Sequence, residues 1–390
     1  MDLNFTPEEQ HFREQVATWL RENVPHEPRP YEGDEARSFD LGWQRKLHEA
    51  GWAGIAWPSE YGGRGLSTIQ QLIWHEEYAK ADAPYVGMSF VGVNHAGPTL
   101  IAEASDEQKA FHLPRILRGE AIWCQGFSEP GAGSDLAGLR TKAVIDGDHL
   151  VVTGQKIWTS YADHAQYQEL LVRTDPDAPK HKGISWVICD MSLPGITIRP
   201  IEMMSGGHHF CEVFYDEVRI PMANVVGKVN DGWRVAMSTL SFERGTAFMA
   251  EQVELSRRVD KLIDLSRTLP SPYGTGCAID DDELRRRLGQ ARAEVAAMRS
   301  MTLAGISRNE RTGKPGPEGS MIRLYFSQLQ QRVFRLAMDI LGPAQAVLSP
   351  LGQGWSQPYL RAFAATIAGG TAQIQRDIIG ERVLGLPRSR

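Results

Sequence analysis

Four stretches of this chain combine residue types and spacings that can do chemistry. GFSEPGAGSDLAGLRTKA (126–143) sets small residues around an acid–proline step. Such a loop either joins two strands tightly or lets backbone pass close to a ligand, with the hydroxyls of Ser128 and Ser134 facing it. In GQKIWTS (154–160), Trp158 is followed at once by Thr159 and Ser160. A tryptophan there either fills a β core or stacks on a flat aromatic ligand that the hydroxyls also bond.

The third stretch is LSFERGTA (240–247). At helical spacing Glu243 shares a face with Ala236, Leu240, Ala247 and Ala250, one carboxylate in a small apolar stripe. It pairs with a cation from another helix, or the stripe faces water, or it is a base whose pKa is raised by desolvation. The fourth is Gly369-Gly370-Thr371, near the end of the chain. The glycines break a helix and Thr371 can cap the next; free N–H groups there suit an anion such as pyrophosphate, although most capped helices bind nothing.

The elements that must position these residues fall into three zones. From Thr6 to about Gly119 the pattern is helical. Thr6-Pro7-Glu8-Glu9 is a helix start, Phe12, Val16, Trp19 and Leu20 recur at helical spacing, a further run spans Thr68 to Ala81, and Ser105 opens a short helix. From about Ala121 to Gly232, DGDHLVVTGQKIWTS, GISWVICDM and CEVFYDEVRIP are short, rich in β-branched and aromatic residues, and bounded by Gly, Pro and Asp. Helical period then returns. The absence of proline between Pro221 and Pro270 allows one long helix through Glu243, and Asp280–Asn309, Glu318–Leu341 and Tyr359–Ala368 supply others. The expected architecture is α+β: an N-terminal helical domain (1–120), a middle antiparallel β-barrel domain (121–232) and a C-terminal helical domain resembling a four-helix bundle (233–390).

Composition narrows the function classes. The 390 residues carry 42 Lys plus Arg against 48 Asp plus Glu, a net charge of −6, which argues against a nucleic-acid partner. Four dispersed cysteines form no CxxC pair, so neither a disulfide framework nor a metal site is expected. Ala83 to Ala102 lacks charged residues but is interrupted by Pro84, Gly87, Gly92, Asn94, His95, Gly97 and Pro98, and reads as a buried helical segment rather than a membrane span. The N-terminus lacks the features of a signal peptide, and a cytoplasmic location is expected. No GxGxxG follows a strand, so a Rossmann unit is not supported.

EPGAGSD, GQKIWTS and the terminal GT-x-QIQRDIIG-like helix, in α–β–α order, together resemble the acyl-CoA dehydrogenase family. WPSEYGGRGLS (57–67), DEQKAFHLPRILRGE (106–120) and DEVRIPMANVVGKVNDGW (216–233) extend the resemblance from about Phe5 to Arg388. It implies an FAD between the β domain and the C-terminal helices. Phe127 and Ser128 would meet the flavin ring, Trp158 would lie against it, and Thr159 and Ser160 would hydrogen-bond it. Ser134 would be shared between cofactor and acyl-CoA, and Thr371 and Gln373 would hold the FAD phosphate and ribityl region. Most members place the catalytic glutamate just before the Gly-Thr step, where this chain has Gly369. A smaller group places it on the long helix directly before an Arg, which is Glu243-Arg244 here. Glu243 is then the base that removes the α-proton of a CoA thioester as the β-hydride passes to flavin, and Arg244 binds the CoA moiety, orients the site, or pairs with another acid.

Two family stretches are altered. The ERxxFG segment is replaced by LSRTLPSPYGTGCAIDDDE, and the QxxGG step by Asp339-Ile-Leu-Gly342-Pro343. Both changes weaken what the chain would give a neighbour's flavin. The ending resembles bacterial members acting on bulky CoA thioesters, steroid side-chain intermediates among them, some of which assemble as α2β2 heterotetramers. A homo- or hetero-oligomer and a flavoprotein-type electron acceptor are therefore expected. An oxidase on the same scaffold and a non-catalytic subunit of a heteromer are the alternatives.

Overall fold

The structure, a computed structural model, describes residues 5–242, 248–312, 316–343 and 350–388. Its first helix, α1 (Pro7–Asn23), starts where the sequence signals it. The Glu9 N–H donates to Thr6 Oγ1 at 3.2 Å and the Thr6 N–H to Glu9 Oε2 at 2.7 Å, a reciprocal cap that buries Phe12, Val16 and Leu20 on one face. Then come α2 (Gly33–Glu49), α3 (Thr68–Lys80), α4 (Gly97–Glu103) and α5 (Asp106–Leu117), the last capped by Ser105 and Gln108 in the same manner. Of the uncharged stretch Ala83 to Ala102, the part from Gly87 onward is helical and largely buried, as expected, and includes a π-helical turn, Gly92–Ala96, whereas residues 83–86 are not helical and Tyr85 is exposed. Trp57 explains Gly97: a Cβ there would lie 1.9 Å from the indole ring.

The middle zone forms an eight-stranded sheet: β1 (Trp123–Gly126), β2 (Lys142–Asp146), β3 (His149–Ser160), β4 (Tyr167–Arg173), β5 (Ile184–Asp190), β6 (Ile196–Ile201), β7 (Phe210–Pro221) and β8 (Val225–Val226). Strand order is β6-β7-β3-β2-β4-β5-β8, with β1 against β4. The pairing is largely antiparallel, as expected, but β1 pairs with β4 in parallel, and Lys142 of β2 meets Arg173 of β4 in the same sense. Leu150, Val152, Val213, Val218 and Ile220 fill the interior, together with the free thiols of Cys124, Cys189 and Cys211.

Beyond the sheet lie α6 (Gly232–Phe242), α7 (Phe248–Ser266), α8 (Asp282–Thr312), α9 (Gly319–Leu341), α10 (Pro350–Ala362) and α11 (Ala372–Ile378). Glu243 and Arg244 lie outside the described residues, as does the expected helix continuity through them. The chain divides into two compact units that cut across sequence order. One holds α2, α4, α5, the sheet and α6; the other holds α1, α3 and α7 to α11. In the second, Leu255, Leu262, Leu288, Phe326 and Leu329 make the helical core, while Arg13 reaches from α1 to Glu76 and Glu77 of α3 at 2.7 and 2.5 Å. Among the described residues no helix is long and apolar enough to cross a membrane.

Candidate active site

The sheet unit brings the two serine- and tryptophan-bearing stretches together. The Ile157 N–H donates to the Ser128 carbonyl at 3.0 Å, laying the loop after β1 alongside β3. Register slips between Lys156 and Thr159, and in this bulge Trp158 takes a left-handed backbone, φ 62°. A bulky residue there is strained. Its indole packs edge-on against Phe210, yet 57% of the residue stays exposed. Thr159, by contrast, is wholly buried, and its hydroxyl has no hydrogen-bond partner among the described residues. Phe127 is buried; Ser128 and Ser160 are half-buried; Ser134 is exposed.

The glycines of the loop differ in their reasons. A Cβ on Gly126 would meet the buried Gln168 side chain at 2.5 Å, so packing requires glycine. Gly131 and Gly133 have no left-handed φ, and a Cβ on either would meet no protein atom within 4 Å. Neither turn geometry nor packing demands glycine at those two positions, which leaves room for another molecule to approach the backbone.

A buried ion pair ties the loop down. Lys156 Nζ donates to Glu129 Oε1 at 2.8 Å and to the Phe127 carbonyl at 3.1 Å. Glu129 also accepts the N–H groups of Arg140 (2.7 Å) and Thr141 (2.9 Å). Burial pulls the Lys156 ammonium down to about 8, although Glu129 opposes the shift. Sequence reasoning passed over this lysine. Strand alternation was the available signal, since Leu150 and Val152 point inward and Lys156 follows them at even spacing.

Beyond Ser134 the surface turns basic. Arg140, Lys142, Arg173 and Lys180 line an open cleft of about 360 Å³. Arg173 is structural, donating to the carbonyls of Ala137 (2.6 Å) and Lys182 (2.7 Å), and Lys180 pairs with Asp135 at 2.6 Å. A polar cluster also lies two residues before Phe127, where Gln125 donates to the buried Glu169 at 2.8 Å and His95, on the π-helical turn, stands 3.8 Å from the same carboxylate.

Thr371 and Gln373 form a group within the helical unit. The Thr371 hydroxyl accepts the Ile374 N–H at 3.2 Å, capping α11 as expected, and Gln373 is exposed in its first turn. Gln375 and Arg323, which sequence reasoning missed, hold the preceding turn. Gln375 donates to the carbonyls of Gly369 (3.2 Å) and Gly370 (3.4 Å), and Arg323 to that of Ala368 at 2.6 Å. Gly369 and Gly370 are both left-handed, φ 64° and 93°. Burial pushes the Glu251 carboxyl up, with Arg323 pulling the other way.

Family models for the N-terminal, middle and C-terminal domains of acyl-CoA dehydrogenases match residues 6–120, 124–218 and 230–384. The chain belongs to the acyl-CoA dehydrogenase family. Its activity is therefore that of an oxidoreductase acting on CoA thioesters. Acyl-CoA dehydrogenase IpdE1 of Mycobacterium tuberculosis is 41% identical over 385 residues, 97% of each chain, and acyl-CoA dehydrogenase FadE26 of the same organism is 35% identical over the whole of both. Among solved structures, the ChsE4-ChsE5 complex of Mycobacterium tuberculosis and the Tcur3481-Tcur3483 steroid ACAD each match with TM-score 0.86 and 32% identity across both full chains.

Proposed function

We propose that this acyl-CoA dehydrogenase is FAD-dependent and converts a bulky, steroid-type acyl-CoA thioester to its trans-2-enoyl-CoA, with Glu243 as the base. The single observation that carries the flavin reading is Trp158, an exposed indole on strained backbone beside the Thr159 hydroxyl, which is buried and without a hydrogen-bond partner among the described residues. The residues present fit the group. Trp158 offers a stacking face, Thr159 and Ser160 offer hydroxyls, and the bare backbone at Gly131 and Gly133 admits close approach. Phe127, Ser128 and Ser134 would complete the near side, with Thr371 and Gln373 toward the phosphate and ribityl region. FAD, when bound, supplies the acceptor for the β-hydride.

Glu243 takes the α-proton, a role that Gly369 cannot perform because it has no side chain. Arg244 and the cations about the cleft beside Ser134, chiefly Arg140 and Lys142, suit the phosphates of CoA. The steroid-type acyl group is inferred from the likeness to the Tcur3481-Tcur3483 steroid ACAD. That neighbour and the ChsE4-ChsE5 complex, together with the altered ERxxFG and QxxGG stretches, favour a heteromer with a related subunit. Electrons would leave to a flavoprotein-type acceptor in the cytoplasm.

The test is anaerobic bleaching of the purified protein's flavin absorbance across a panel of CoA thioesters, steroid side-chain and fatty acyl. Bleaching by the steroid thioesters is expected; a colourless protein, or no response to any thioester, overturns the reading. Glu243→Gln should keep its flavin and lose about 10²–10⁴-fold in the rate of bleaching, the usual cost of removing a general base. Retention of more than about a hundredth of that rate would remove Glu243 from the role. Peroxide release in air separates an oxidase from a dehydrogenase.

A further inference from the structure

We infer that Lys156 is a positioning residue for the flavin-facing surface, an inference that rests on the flavin reading above. That surface has two halves, Phe127 and Ser128 on the loop after β1 and Trp158 and Thr159 on β3. A backbone hydrogen bond from Ile157 to Ser128 joins the two stretches directly. Lys156 adds a second join from beneath. Its ammonium, fully buried, bonds the Phe127 carbonyl and the Glu129 carboxylate. Glu129 passes the constraint on through the N–H groups of Arg140 and Thr141, closing the loop from Phe127 to Thr141.

A side chain two residues before Trp158 thereby sets where Phe127 stands. A shift of either half by a fraction of an ångström would open a gap on a ring wedged between them. Farther along the loop, Glu129 and Ala132 exchange backbone hydrogen bonds and Lys180 pairs with Asp135, so the carboxylate–ammonium staple acts chiefly on the end of the loop that carries Phe127 and Ser128.

Removing the lysine alone strands a buried carboxylate and risks unfolding, whereas replacing both charges with neutral groups of similar size is tolerated in many proteins. The experiment therefore uses the double variant Lys156→Met/Glu129→Gln beside the wild type, in the full chain as purified. Amide hydrogen exchange reads the clamp, and FAD affinity, reduction potential and the split between kcat and KM read its reach. Faster exchange is expected at Arg140, Thr141 and Ile157 but not along β4 and β5. FAD should bind at least tenfold more weakly, with a shifted potential and a fall in kcat larger than any rise in KM. Unchanged exchange at those amides overturns the clamp. Faster exchange with wild-type FAD affinity and potential overturns the positioning role, leaving a merely structural ion pair. A wild-type protein that takes up no FAD overturns the flavin reading, and this role with it.

Discussion

Trp158 spends conformational energy that the sheet itself does not require. A left-handed backbone costs a bulky L-residue about 1–2 kcal/mol, and here the side chain recovers little by burial because more than half of it is exposed. On the proposed flavin reading, a planar ligand covering the indole would offset that cost. Trp158→Gly should therefore leave the ligand-free protein within about 0.5 kcal/mol of wild type, since relief of strain offsets the extra entropy of the unfolded chain. FAD affinity should fall by about one to two orders of magnitude through lost stacking. Thermal melts with and without FAD check both halves; a large loss of stability without FAD would show that the indole is structural. The loop and strand that the structure brings together, joined from Ile157 to Ser128, stood out in sequence because hydroxyls, glycines and a tryptophan cluster in two short motifs. Lys156, Gln375 and Arg323 were not, because isolated polar residues on periodic elements read as solvent-facing.

At the scale of elements, the turn before α11 bears on whether a glutamate at Gly369 could serve as base. Gly369 and Gly370 are left-handed, and a Cβ on Gly370 would come within 2.6 Å of Gln375 Nε2. Gly369→Glu in the Glu243→Gln background should lower stability by about 1–2 kcal/mol and restore little turnover, because the new side chain must hold a strained backbone. Melting temperature and single-turnover bleaching decide it; recovery above a tenth of the wild-type rate would show that the turn relaxes. Helix starts were readable because Thr6 and Ser105 cap in the expected way. The strands β1, β4 and β6 were not. In β4, Gln168 and Glu169 interrupt the apolar run, although both are buried, Gln168 accepting from the Tyr215 hydroxyl and Glu169 from the Gln125 amide. In β6, Pro200 suggests a loop, and the structure tolerates it because β6 is the edge strand.

At the scale of the molecule, burial makes the fold acid-sensitive. His112 lies among the rings of Phe111, Trp123 and Tyr167, and desolvation lowers its pKa to about 4; His75 is lowered to about 4 for the same reason. A group whose folded pKa is depressed binds its proton first in the unfolded chain. Stability is thus fully present above 6.5, the unfolded value, and is lost as pH falls toward about 4. His112, buried among aromatic rings, contributes to that loss because its pKa is lowered by desolvation. Urea midpoints at pH 7 and pH 4.5 should converge in His112→Phe relative to wild type; equal pH slopes would remove His112 from the account. The α–β–α order was legible from composition along the chain, whereas the two compact units were not, because α1 and α3 join helices more than a hundred residues away.

The parallel pairing of β1 with β4 has a consequence for how the protein is made. Two parallel neighbours cannot be joined by a hairpin, and the intervening chain, from Phe127 through Gln166, contains β2 and β3. The local hairpin of β2 with β3 closes early, while the β1–β4 contact must wait for that excursion to be laid down. Phe127 and Ser128 leave directly from the end of β1, so the loop that carries them settles only once that parallel contact is made. On the flavin reading proposed above, a newly synthesised chain would take up its cofactor only after this parallel contact is made.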